Sequence, residues 1–155
     1  MQQSASTITS IKAGEGQQYN VAGGQYRILV SRADTDGSYA VIEMNVPPGG
    51  GPLPHAHPEI EETFYVAEGE IVFNTDNGPV SVSAGSFVRI PLNGGVHAFK
   101  NTSGKPARLL CTVMPAGLDE MFKEVSTATP EQIPAIITKY NQQLYPADYF
   151  DSKAG

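Results

Sequence analysis

From residue 25 to residue 114 the chain repeats one pattern, a short β-favouring run followed by a turn signal, roughly every 8 to 12 residues. The runs include Phe64-Tyr65-Val66, Ile71-Val72-Phe73, Val80-Ser81-Val82 and Phe87-Val88-Arg89-Ile90. The turns between them are Glu68-Gly69-Glu70, Asp76-Asn77-Gly78 and Ala84-Gly85-Ser86. Residues 39–46 alternate, with Ala40, Ile42, Met44 and Val46 on one face and Tyr39, Val41, Glu43 and Asn45 on the other, as a half-buried strand requires. Many short strands on such a rhythm predict an all-β antiparallel sandwich or barrel.

The flanks read differently. Residues 1–24 form a polar arm with two expected short strands, around Thr7-Ile8-Thr9 and Tyr19-Asn20-Val21. After Pro115, Leu118, Met121, Phe122 and Val125 fall at helical spacing, with Asp119 and Glu120 in the first turn, where the helix dipole favours acids. A second helix is expected from near Thr129-Pro130 to about Leu144, burying Ile133, Ile136, Ile137, Tyr140 and Leu144. Pro134 weakens its first turn, so its regular part starts there. Both helices are expected to cover the barrel or a dimer contact. The organisation predicted is an arm (1–24), a barrel (25–115) and a helical extension (116–155), whose tail from residue 145 takes no element.

At 155 residues the chain fits one domain. Its net charge of -6 argues against nucleic acid and anionic membrane as partners. No window approaches the roughly 18 apolar residues of a membrane span, and the N-terminus lacks the basic and apolar regions of a signal peptide. The single Cys111 cannot pair within the chain, and its run Leu109-Leu110-Cys111-Thr112-Val113-Met114 predicts a small buried hydrophobe. A cytoplasmic enzyme or binding protein is the expectation.

The chemistry concentrates in two segments that hold all three histidines. His55 and His57, two apart on an extended chain, point the same way. Carboxylates follow within a few residues, and His97 arrives in Gly94-Gly95-Val96-His97. Imidazole is the commonest protein metal ligand, so three histidines and one carboxylate predict a site for a single divalent transition metal. Nitrogen and oxygen donors without thiolate suit Ni, Mn, Fe, Co, Cu or Zn alike. The loop 47–54, rich in proline and glycine, is expected to form the mouth of the pocket.

These residues resemble the cupin superfamily. Gly51-Pro52-Leu53-Pro54-His55-Ala56-His57 through Glu62 to Gly69 is similar to its first motif, and Gly85 to Pro91 with Gly94, His97 and Asn101 is similar to its second. Ser86 stands where the family often has Asp, and two residues rather than one separate Pro91 from Gly94. The resemblance implies a single jelly-roll (double-stranded β-helix) barrel with one or two C-terminal helices, and His55, His57, Glu62 and His97 as metal ligands. Glu61 is the runner-up to Glu62. An inward Glu62 takes Phe64 and Val66 inward with it, whereas an inward Glu61 would line the barrel with Thr63 and Tyr65. Ile42, Met44, Phe64, Val66 and Phe99 are the expected pocket wall.

Residues 62–70, the segment around Phe99-Lys100-Asn101-Thr102 and residues 114–122 are similar to small single-domain cupins of the quercetin 2,3-dioxygenase type. That resemblance implies insertion of O2 into a flavonol-like or other enolisable aromatic small molecule, with Glu62 as the catalytic base, in a homodimer. A metal-dependent isomerase or decarboxylase, or a non-catalytic small-molecule-binding cupin, are the alternatives.

Overall fold

A computed structural model describes residues 6–151. The outer ends of the expected arm and tail, residues 1–5 and 152–155, lie outside the described residues. In chain order the strands are β1 (Gln18–Val21), β2 (Gly24–Val30), β3 (Ala40–Val46), β4 (His55–Ala56), β5 (Glu61–Glu68), β6 (Glu70–Thr75), β7 (Gly78–Ser83), β8 (Phe87–Ile90), β9 (His97–Lys100) and β10 (Ala107–Met114). Helices α1 (Leu118–Ser126) and α2 (Ile133–Lys139) follow, then a last strand β11 (Gln143–Leu144).

The strands form two antiparallel sheets, in the orders β1-β2-β3-β10-β5-β8 and β11-β4-β9-β6-β7. The central strands of the larger sheet, β3, β10 and β5, alternate as their sequences demand. On β3 the side chains of Ala40, Ile42, Met44 and Val46 are buried, and on β5 those of Glu62, Phe64 and Val66. The sheets face each other across one apolar core, where the Phe64 ring meets Phe73 at 5.0 Å and Phe99 at 5.6 Å between centroids. The result is an all-β jelly roll with two short C-terminal helices.

Three details position the site. The loop into β4 packs so closely on β9 that a Cβ on Gly51 would collide with the Phe99 carbonyl, so only glycine fits there. Gly69 turns β5 into β6 at φ +81°. Asn101, wholly buried, donates through Nδ2 to the Val46 and Lys105 carbonyls at 2.9 and 2.7 Å, and its Oδ1 accepts from the Ser103 amide and hydroxyl. It locks the loop after β9 to the end of β3.

Two expectations at the flanks are corrected. Thr7-Ile8-Thr9 is not a strand: Ile8 is 98% exposed, so the segment has no apolar burial to offset the entropy of ordering it. The second helix stops at Lys139 instead of reaching Leu144, because Asn141 turns left-handed at φ +58°. Gln143 and Leu144 then pair with Ala56 and His55 as the edge of the smaller sheet, leaving Leu144 exposed. The C-terminal segment thus straps the strand that carries the first histidine. Its aromatic residues continue that contact, with the Tyr145 amide donating to the Pro54 carbonyl at 2.9 Å and the Tyr149 hydroxyl donating to Asp76 Oδ1 at 2.8 Å.

Candidate metal centre

His55 on β4 lies directly opposite His97 on β9, and His57 follows one residue beyond the end of β4. Glu62 enters from β5 in the facing sheet. The four side chains are buried, and one ligand atom from each lies within 4.8 Å of all the others. Glu61, one residue earlier, points to the outer face and forms an ion pair with Arg89. The alternation of β5 therefore places Glu62, together with Phe64 and Val66, inside.

Backbone carbonyls set the orientation of the rings. Nδ1 of His55 donates to the Leu53 carbonyl at 2.7 Å, Nδ1 of His97 to Gly95 at 3.0 Å, and Nδ1 of His57 to Ile60 at 3.4 Å. A ring whose Nδ1 carries the hydrogen presents Nε2 as its metal-binding nitrogen. The Nε2 atoms converge: those of His57 and His97 are 3.2 Å apart, and they lie 2.6 and 3.6 Å from Glu62 Oε2. The other carboxylate oxygen, Oε1, accepts a hydrogen bond from the Cys111 thiol at 3.1 Å.

Burial would push the Glu62 carboxyl up, but the hydrogen bond from His57, with the charge of the His57 and His97 rings, holds it well below the usual carboxylate range. The carboxylate is therefore held ionised. Burial would also lower His57, yet the hydrogen bond and charge of Glu62 overcome this and raise it. His55 has no such partner, and burial, reinforced by His97, lowers it to about 3. Three imidazole nitrogens and an ionised carboxylate aimed at one buried point suit a divalent first-row transition metal, so the residues fit such an ion. The proton shared by His57 and Glu62 occupies the nitrogen that an ion would take, so loading must release it.

An apolar cavity of about 330 Å³ abuts the cluster. His55, Glu62 and His97 face it, while His57 lies behind them. Of the expected wall, Met44, Phe64 and Phe99 line the cavity. Ile42 and Val66 do not, because both are wholly buried in the packing between the sheets. More of the wall comes from Tyr26 on β2 and from the helices expected to cover the barrel or a dimer contact, through Leu118, Met121 and Phe122 on α1 and Ile137 on α2. The amphipathic spacing of α1 was the available signal, since a helix that covers an open jelly roll must also line it.

A Cupin domain profile matches residues 42–113. The chain is 30% identical over 90 residues to quercetin 2,3-dioxygenase of Bacillus subtilis, a match that spans 58% of this chain and 26% of that protein. Among solved structures, the polyketide cyclase RemF from Streptomyces resistomycificus superposes with a TM-score of 0.62 at 24% identity, covering 70% of this chain and 80% of that one. A predicted oxalate decarboxylase from Thermotoga maritima gives 0.61 at 23% identity, covering 69% and 99%. These two likenesses concern the fold.

Proposed function

From the premise that the chain belongs to the cupin superfamily, we propose that it is a metal-dependent dioxygenase acting on a flavonol-like or other enolisable aromatic molecule. His55, His57, Glu62 and His97 hold one divalent transition metal in this reading. The observation that carries it is the apolar, aromatic-walled cavity opening directly onto three of those four side chains. Its volume is at the lower end of the roughly 300–1,000 Å³ of small-molecule sites, and such a wall suits a planar ring system better than a sugar or a polyanion. The partial match to quercetin 2,3-dioxygenase supports the same substrate class.

The bound ion supplies a Lewis acid for the substrate oxygen and, if redox-active, a partner for O2. The chain's own residues do the rest. Phe64 and Phe99 on the sheets and Phe122 on α1 hold the ring and exclude water. Glu62 takes the enol proton at a carboxylate oxygen. The Cys111 thiol keeps Oε1 of that carboxylate oriented.

The protein is read as a cytoplasmic homodimer. No helix among the described residues is long and apolar enough to cross a membrane. Tyr65 lies opposite both Phe87 and Leu110 in the strand register, and all three are exposed on the outer face of the larger sheet, an apolar row that a second copy would cover. The division into a barrel (25–115) that carries the ligands and a helical extension (116–155) that closes the cavity is part of the same proposal.

The test is elemental analysis of the purified protein, followed by O2 uptake with a panel of flavonols and small enolisable compounds. One O2 consumed per substrate supports the dioxygenase. The Glu62 base would equally serve an isomerase or decarboxylase without O2, and turnover under anaerobic conditions would favour that second reading. Metal-free protein with a ligand-filled cavity would point to a binding module.

A further inference from the structure

Tyr26 is buried at 2% exposure, on the inner face of β2 opposite Met44, with its ring edge-on to Phe122 at 5.0 Å. Phenylalanine would satisfy every one of these packing contacts. The hydroxyl is the feature that needs a reason, because a buried tyrosine O–H ordinarily finds a partner. Among the described residues it has none. Nor is it sealed in protein, since the fully enclosed polar side-chain atoms lacking a partner are Arg108 Nε and Glu124 Oε2. Tyr26 lines the apolar cavity, on whose wall Glu62 also stands.

We propose that Tyr26 is a specificity-determining residue whose hydroxyl donates a hydrogen bond to an oxygen of the cavity's occupant, a planar aromatic molecule carrying a carbonyl or ring oxygen. This deepens the functional reading above and rests on its substrate class. The oxygen concerned is separate from the one presented to the histidine cluster, because β3 and β10 stand between the Tyr26 strand and β5. Burial first, then the neighbouring Cys111 and Glu62, push the phenol above its ordinary range, so it remains an O–H donor. With the cavity wall otherwise mostly apolar, a ligand lacking that oxygen leaves the hydroxyl unpaired, and a site that buries an unpaired polar group rejects such a ligand.

The test compares wild type and Tyr26→Phe, both metal-loaded, in calorimetric binding of 1-tetralone and tetralin, one bicyclic skeleton with and without a carbonyl. The wild type is expected to prefer the ketone about tenfold, the size of one buried hydrogen bond. Tyr26→Phe should lose most of that preference, bind tetralin at least as tightly as the wild type, and melt within a few degrees of it. An undiminished preference in the variant, or failure of the wild type to bind either probe, overturns the assignment. Absent O2 uptake with flavonols beside a lost ketone preference would sink the dioxygenase and leave Tyr26 in place; the converse pair would do the opposite.

Discussion

The thiol of Cys111 on β10 donates to Glu62 Oε1 on β5 at 3.1 Å, so a buried sulfur in one strand fixes the carboxylate of its neighbour. Both groups lie in the core, and burial pushes the thiol well above its ordinary range, which keeps it protonated and a donor.

Removing that donor should loosen the carboxylate without unfolding the protein. Cys111→Ala is expected to weaken metal retention against a chelator by about tenfold, the lower end of what supporting contacts contribute at metal sites. Cys111→Ser, which restores a donor, should recover most of it. Equal retention by wild type and Cys111→Ala would show that the contact has no bearing on the site.

The adjacent acids should behave oppositely. Glu62 is buried against the histidines, whereas Glu61 faces outward onto Arg89. Glu62→Gln is expected to lower kcat by about 100-fold or more, as loss of a positioned base does. Glu61→Gln should leave kcat unchanged and stability within about 0.5 kcal/mol. Steady-state kinetics and thermal melts read both, and the reverse ranking would exchange the two roles.

The alternation along β3 and β5 made most of this legible beforehand. A period of two, anchored by Ile42 and Met44 on one strand and by Phe64 and Val66 on the other, fixes which side chains enter the jelly roll and therefore selects Glu62 over Glu61. Pairing across distance was not legible. Gln143-Leu144 carries no strand signal of its own, and it becomes a strand only because His55-Ala56 offers it an open edge some 90 residues earlier in the chain. The cavity wall was half legible. The apolar face of α1 can be counted from Leu118, Met121 and Phe122, but what that face meets depends on how the helix folds back onto β1 and β3.

Metal-free protein should lose stability in acid for an identifiable reason. His55 is neutral in the folded state down to about 3, whereas in the unfolded chain it takes a proton below 6.5. Between those values the unfolded state binds more protons, so stability falls as the pH falls. His57 is shifted the other way, and its contribution is complete below 6.5 and lost only as the pH rises through its raised value. Glu62 adds to the acid loss only below 4.5. Urea midpoints of the metal-free protein should therefore drop between pH 6.5 and 4.5, and His55→Gln should flatten that slope. An unchanged slope in the variant would remove His55 as its source.

Metal content is the most direct measure of the account, which rests on three imidazoles and one carboxylate gathering around a single ion. Wild-type protein reconstituted with excess divalent metal and desalted should retain one ion per chain by elemental analysis. His55→Ala and His97→Ala should each retain almost none, with far-ultraviolet circular dichroism matching the wild type. Full metal content in either variant would contradict the ligand assignment.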